Sequence, residues 1–248
     1  MRAALDAPPR ARVLGASVPG AAHVRRGEGC QDAHAVRVTA DGWLVVAVAD
    51  GMGSAVWAAL GARAATLAAA SATAAFVGAA PDAPLPHVVA HGLACARTAL
   101  VAIGGTLGDL ACTLSVTAVS PARESCVAHI GDGAVVVESD GLQVLSLPAP
   151  SEYLEVTDPL TALDWHRRVR VSEVVRDVRA VLAFTDGLQH AALTARGEPG
   201  EAFLAPLIDF ARSSDDEGLA SEELAALLAG PKVGEHSDDD KTLVIAVP

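Results

Sequence analysis

Aromatic side chains are scarce in this sequence: four Phe, three Trp and one Tyr among 248 residues. Trp57, Trp165 and Tyr153 are too few to build a base-stacking surface. Basic residues are also in the minority, 18 Lys and Arg against 30 Asp and Glu, which leaves a formal charge of −12. That balance argues against a nucleic-acid partner, because phosphate backbones are bound by basic patches. Cysteine is limited to Cys30, Cys95, Cys112 and Cys126, with no C-x-x-C spacing. Zinc is therefore not expected, and the thiols suit a reduced, cytoplasmic protein.

No export signal is visible either, because Met1 to Pro9 carries an Asp and two prolines where a signal peptide needs an apolar core. The longest apolar region, Ala55 to Ala80, is mostly alanine with Arg63 inside it, too weakly hydrophobic for a membrane span. A soluble chain with no membrane partner follows. No repeat or low-complexity linker divides it, so a single domain over residues 1–248 is expected, with a flexible start at residues 1–11.

What is present is a pattern of apolar runs that stop on carboxylates. Trp43 to Ala49 reads as a strand buried on both faces and ends on Asp50-Gly51-Met52-Gly53. Glycine after the acid lets the backbone carbonyl approach a ligand closely. The same grammar recurs at Ala180 to Thr185, which ends on Asp186-Gly187, and at Ser237 to Asp240, which opens into a strand from Thr242 to Val247. Oxygen ligands of this kind suit hard divalent ions such as Mg²⁺ or Mn²⁺.

Between these points the sequence predicts strands at Val13 to Val18, Ala33 to Thr39, Leu110 to Val119, Ser125 to Ile130, Ala134 to Glu138, Leu142 to Leu147, Arg167 to Val175 and Val178 to Thr185. Helices are predicted at Ala55 to Val77, His87 to Ile103, Glu201 to Arg212, and in a short last segment capped by Ser221. Residues 19–32 are expected to be a polar loop, and residues 148–163 an irregular insert. The meander from Leu110 to Leu147 is assigned to one sheet. The fold class is α+β: two antiparallel β-sheets packed as a central sandwich with helices on both outer faces. Asp41-Gly42 and Asp140-Gly141 read as hairpin turns. The first hairpin is expected to bring Asp32, just before one strand, beside Asp50, just after its partner.

Taken in order, Gln31-Asp32, Asp50-Gly51-Met52-Gly53, His129-Ile130-Gly131-Asp132, Phe184-Thr185-Asp186-Gly187 and Asp239-Asp240-Lys241-Thr242 resemble the metal-dependent serine/threonine protein phosphatases of type 2C. The resemblance covers roughly residues 13–247, and Gly29-Cys30-Gln31-Asp32-Ala33 with Asp50-Gly51-Met52-Gly53-Ser54-Ala55 is most like a compact bacterial branch, as is Glu152-Tyr153 in the insert. It implies hydrolysis of phosphoserine and phosphothreonine monoesters at a centre of two Mn²⁺ or Mg²⁺ ions, with a weaker third. Asp50, the Gly51 carbonyl, Asp186 and Asp239 match metal ligands. Asp32 matches the acid that supports the metal waters, and Asp132 a residue of the third ion. The implied attack is by a metal-bridged hydroxide, with no protein nucleophile.

Four departures from the family pattern accompany it. The acid that commonly precedes Asp32 is Gln31, which lowers the charge at the site. A histidine used as general acid in some members is Met52, so the implied proton source is metal-bound water. The phosphate-binding arginine falls on Gly27, and the nearest substitute is Arg26. Gly133 and Ala134 replace a serine and an arginine near the third ion. His23 lies beside the loop, as a capping histidine or one that reaches the site, and His129 reads as core or supporting. The implied partner is a phosphorylated protein, the target of a serine/threonine kinase, and the chain is expected to act as a monomer. A different class stays open beside the enzyme: an inactive phosphatase-like module that binds a partner. A two-metal hydrolase of another phosphate ester is a third reading.

Overall fold

The computed structural model describes residues 11–147 and 157–248. The first ten residues, most of the expected flexible start, and Glu152-Tyr153 of the insert lie outside them. In chain order the strands are β1 (Arg12–Val18), β2 (Ala33–Val38), β3 (Leu44–Ala49), β4 (Leu114–Val119), β5 (Ser125–Ile130), β6 (Ala134–Ser139), β7 (Gly141–Ser146), β8 (Arg170–Val171), β9 (Ala180–Phe184) and β10 (Lys241–Val247). The α-helices are α1 (Ala21–Arg26), α2 (Ala58–Ala79), α3 (Leu85–Ile103), α4 (Trp165–Arg168), α5 (Gln189–Ala192), α6 (Glu201–Ser213), α7 (Glu217–Leu228) and α8 (Pro231–Gly234).

The strands form two five-stranded antiparallel sheets, ordered β1-β10-β9-β6-β7 and β2-β3-β4-β5-β8. Their packing explains why the central strands read as unbroken apolar runs. In β3, Leu44, Val46 and Val48 face the opposite sheet, while Val45, Ala47 and Ala49 face α2 and α3. In β9, Val181 and Ala183 face inward, while Leu182 and Phe184 join the layer under α6 and α7. With period-two side chains buried on both faces, the sandwich has three apolar layers and helices outside. The α+β sandwich expected from the sequence is the observed architecture.

Helices α2 and α3 are each long and apolar enough to cross a bilayer by length and composition, with mean hydropathy 1.3, contrary to the expectation for the Ala-rich segment. Here Ala62, Ala65 and Ala69 of α2 and Val89, Leu93 and Ala96 of α3 are buried against the sheet. Helix α3 starts at Leu85, with a proline in its first turn, earlier than predicted. Proline is tolerated there because the first amides have no intrahelical acceptor.

The structure corrects four local expectations. The meander does not stay in one sheet: β4 and β5 belong to one, β6 and β7 to the other, and Gly131-Asp132-Gly133 carries the chain across. The stretch 19–32 is not all loop, since α1 forms within it. Arg167 to Val175 is not one strand. It splits into α4 and the two-residue β8, and the Ser172 hydroxyl takes the Val127 amide at 3.1 Å in place of a ladder carbonyl. Finally, α7 is capped by Asp216, which accepts from Gly218 N at 2.9 Å and Leu219 N at 3.1 Å. Ser221 lies inside the helix and donates to the Glu217 carbonyl at 2.7 Å.

Because Phe184 is 1% exposed and ends the strand that carries Asp186, Phe184→Ala is expected to cost about 3–5 kcal/mol. Urea unfolding checks this, and a loss under about 1 kcal/mol would mean that this end of the core is loosely packed.

Candidate metal centre

Antiparallel pairing brings strand ends that are remote in sequence to one rim. Ala33 opposes Ala49, Leu114 opposes Ile130, Ala134 and Leu243 both oppose Phe184, and Val18 opposes Lys241. Asp32, Asp50, Asp132, Asp186 and Asp239 all extend from these ends. The Asp41-Gly42 and Asp140-Gly141 pairs lie in the turns joining β2 to β3 and β6 to β7, with φ of 86° and 94° at the glycines. They are turns, as read from the sequence.

Each acid is placed by backbone contacts. Asp50 is clamped to the segment before β4, its N–H donating to Thr113 Oγ1 at 2.9 Å and its carbonyl accepting from Thr113 N at 2.8 Å. Gly51 sits in a cradle where a Cβ would lie 2.7 Å from the Gln31 carbonyl oxygen and 2.8 Å from that of Ala58. At Gly187, a Cβ would meet the Asp240 carbonyl oxygen at 2.0 Å, so only glycine lets β9 run close beside the start of β10. Thr185 Oγ1 donates to Asp32 Oδ2 at 2.8 Å and accepts from Thr242 N at 3.0 Å, tying Asp32 to both β9 and β10.

The acids surround a cleft of about 570 Å³ lined by Asp50, Asp132, Asp186 and Asp239, with His23 and Arg26 among its other walls. Carboxylate oxygens of Asp50, Asp132 and Asp186 lie within 4.8 Å of one another. Asp32 Oδ1, Asp132 Oδ1 and Asp186 Oδ1 are buried without a hydrogen-bond partner. Buried acceptors are almost always satisfied, and an all-oxygen set left unsatisfied fits a hard divalent cation. The residues present therefore fit the metal expected from the sequence.

The protein phosphatase 2C family model matches residues 19–229. The chain belongs to the protein phosphatase 2C family. A curated relative, serine/threonine-protein phosphatase 3 of Escherichia coli (strain K12), is 35% identical over 143 residues, 56% of this chain. This chain spans only 56% of that relative's length. Among solved structures, the serine/threonine phosphatase of Staphylococcus aureus superposes with a TM-score of 0.63 at 12% identity, covering 100% of this chain and 99% of that one. A bacterial serine phosphatase superposes with a TM-score of 0.65 at 13% identity, covering 96% and 98%.

In this protein phosphatase 2C chain, two groups among the described residues could hold an ion, Asp50 with Asp132 and Asp186, and His23 with Asp239 and Asp240. Asp239 lines the same cleft but is exposed, and its side chain accepts from the Asp240 amide at 2.8 Å. Arg26 stands at the lip with its Nε bound to Glu28 at 2.8 Å. His129 is not in the cleft: it is buried, Nδ1 meets Ser146 Oγ at 2.9 Å, and burial with nearby Arg170 holds its pKa down at about 3. Cys112 is also buried, which pushes its thiol up to about 12 with help from Asp50.

Sequence reasoning missed three residues here. Asp240, 2% exposed, accepts from Gly20 N at 2.7 Å, Gln31 N at 2.6 Å and His23 Nδ1 at 2.7 Å, so it fixes the strand ends that carry the cleft. Only its place directly before an apolar strand hinted at burial. Thr185 stood in a motif without a role of its own and Thr157 had no motif signal, yet the first holds Asp32 and the second, from the insert, donates to Asp132.

Crowding shows in the protonation of the family acids. Burial pushes Asp32 up to about 7, and burial with the Asp132 and Asp239 carboxylates pushes Asp186 up to about 7. Asp50 is also raised well above the ordinary 3.8, by burial and then by Asp32 and Asp186. Acids with raised folded-state pKa values stabilise the fold where they are protonated, and that stability is lost as pH rises from about 4 through about 7. Metal-free protein is therefore expected to melt at a higher temperature at pH 6 than at pH 8. Saturating Mn²⁺ is expected to remove or reverse the difference. Calorimetry on chelator-treated protein checks both, and a metal-free melting temperature that rises from pH 6 to 8 would contradict the crowding.

Proposed function

We propose that this chain is a metal-dependent phosphatase that hydrolyses phosphoserine and phosphothreonine monoesters of proteins, reversing a serine/threonine kinase. The observation that carries this reading is the cluster of buried carboxylate oxygens without donors, at the strand ends of a protein phosphatase 2C chain. In this reading, Asp50, the Gly51 carbonyl, Asp186 and Asp239 hold two Mn²⁺ or Mg²⁺ ions, and Asp132 contributes to a weaker third. When bound, these ions supply Lewis acidity, acidify water and offset the charge of the phosphate oxygens.

The chain's own residues do the rest. Asp32, anchored by Thr185, orients water at the back of the cleft. Arg26 at the lip attracts the incoming phosphate, against an acidic wall that would otherwise repel it. Met52 lines the cleft and has no proton to give, so the departing serine or threonine oxygen takes its proton from water. No side chain is required as nucleophile. The protein acts as a cytoplasmic monomer on phosphorylated protein, with neither nucleic acid nor membrane as partner.

The test is Mn²⁺-dependent turnover of an aryl phosphate beside a phosphothreonine peptide. Turnover of the peptide supports a protein phosphatase, and turnover of the aryl ester alone favours a hydrolase of other esters. No turnover on either, with folded protein and excess Mn²⁺, favours an inactive binding module. Asp186→Asn is expected to lower turnover at limiting Mn²⁺ by at least the roughly 10–100-fold that losing a supporting residue of a metal site costs, with the circular dichroism spectrum unchanged. Wild-type turnover in that variant would remove Asp186 from the metal centre.

A further inference from the structure

Apolar side chains left in solvent are ordinary when scattered and informative when they line up. At the start of α2 they line up. Val56 is 73% exposed, Trp57 58%, Leu60 45% and Leu67 45%. Trp57 is also the one exposed aromatic side chain among the described residues. Leu60 and Leu67 follow Trp57 by three and ten positions, with the half-buried Ala64 between them, so all share one face of the helix. Core packing does not account for that face, because α2 meets the sheet through Ala62, Ala65 and Ala69.

The face begins where the cleft ends. Met52, Gly53 and Ser54 line the cleft, and Val56 and Trp57 follow within three residues of Ser54. The two places touch in space as well: the Ala58 carbonyl oxygen lies against Gly51, 2.8 Å from where a Cβ would stand. Trp57 is fixed at this corner, its N–H donating to the Asp109 carbonyl at 2.7 Å and its own carbonyl accepting from Gly61 N at 2.9 Å. Its side chain makes no capping hydrogen bond to the helix it precedes. A rigidly mounted indole therefore stands beside the cleft with its surface open. From Trp57 to Leu67 the face runs about 15 Å, at 1.5 Å per residue, a length that an extended polypeptide covers in about five residues.

A lipid surface, a second copy of the chain and a substrate polypeptide could each cover such a face. Charge separates them. At −12, the chain repels both an anionic lipid surface and another copy of itself. A polypeptide whose phosphorylated residue enters the cleft has to continue across the rim, and α2 offers it apolar contact there. We infer that Val56, Trp57, Leu60 and Leu67 form a substrate-docking surface, which seats apolar side chains within about five residues of the phosphorylated one, with Trp57 as the specificity-determining contact. This rests on the phosphatase reading above and says which phosphoproteins the cleft prefers.

Two phosphothreonine peptides of equal charge test it, one flanked by Leu and Val and the other by Ser and Gly, beside an aryl phosphate, all with saturating Mn²⁺. The wild type is expected to favour the apolar-flanked peptide by roughly 10–30-fold in kcat/KM, carried by KM, the scale of one well-placed interface tryptophan. Trp57→Ala is expected to remove most of that preference and Leu60→Ser part of it. A merely structural role would lower turnover of all three substrates alike and leave the preference standing, which overturns the assignment. Equal use of both peptides by the wild type overturns it too. So does a dimer in sedimentation, or binding to phosphatidylcholine–phosphatidylglycerol vesicles, that Trp57→Ala abolishes, since the face then belongs to another occupant.

Failure here and failure of the phosphatase reading come apart. Turnover of both peptides without preference removes the docking surface and leaves the enzyme. No turnover of any substrate, with folded protein, sinks the phosphatase reading, and binding then decides the surface alone. A tryptophan emission shift on adding the apolar-flanked peptide, present in the wild type and lost in Trp57→Phe, supports docking; no shift overturns it.

Discussion

Like charges confined at one rim of a sandwich are the constraint on which the rest of this structure depends. Asp32, Asp50, Asp132 and Asp186 are pressed together by strand pairing, not by mutual attraction, and the raised pKa values of Asp32, Asp50 and Asp186 register the strain. The apolar layers behind them make the crowding tolerable. Leu44, Val46, Val48, Val181 and Val244, all buried between the sheets, hold the two ladders in register. Without them, electrostatics alone would separate the two halves of the cleft. A divalent cation is the natural complement of such a rim, because it turns repulsion among oxygens into shared coordination.

Much of this was legible in the chain because it is written in short-range signals. A short, valine-rich apolar run such as Trp43 to Ala49 reads as a strand buried on both faces, and the Asp-Gly step that ends it marks where the backbone reaches solvent. The Asp41-Gly42 turn sets the register of β2 and β3, and register alone places Asp32 beside Asp50. The order of the five acidic motifs added what spacing by itself does not state, a family whose sheets align those ends.

What was not legible depends on contacts between segments far apart in sequence. Nothing in Gly131-Asp132-Gly133 says that the chain leaves one sheet for the other there, because a hairpin turn and a crossover use the same residues. Asp240 looks like one more acid in a run of three, and its role appears only once Gly20, His23 and Gln31 arrive from the far end of the chain. Arg167 to Val175 has strand composition, yet it lies at a sheet edge where the Ser172 hydroxyl competes successfully with the ladder. Local propensity was overruled in each place by a partner more than 40 residues away.

The crossover at Asp132 has a consequence for assembly. A residue that both conducts the chain between layers and faces the cleft ties the construction of the centre to the docking of the two sheets. A partly formed chain with only one sheet paired holds at most Asp32 and Asp50, or Asp186 and Asp239, and never both pairs. Cation binding at the proposed centre would therefore require tertiary closure, because each sheet alone carries only one of the two pairs.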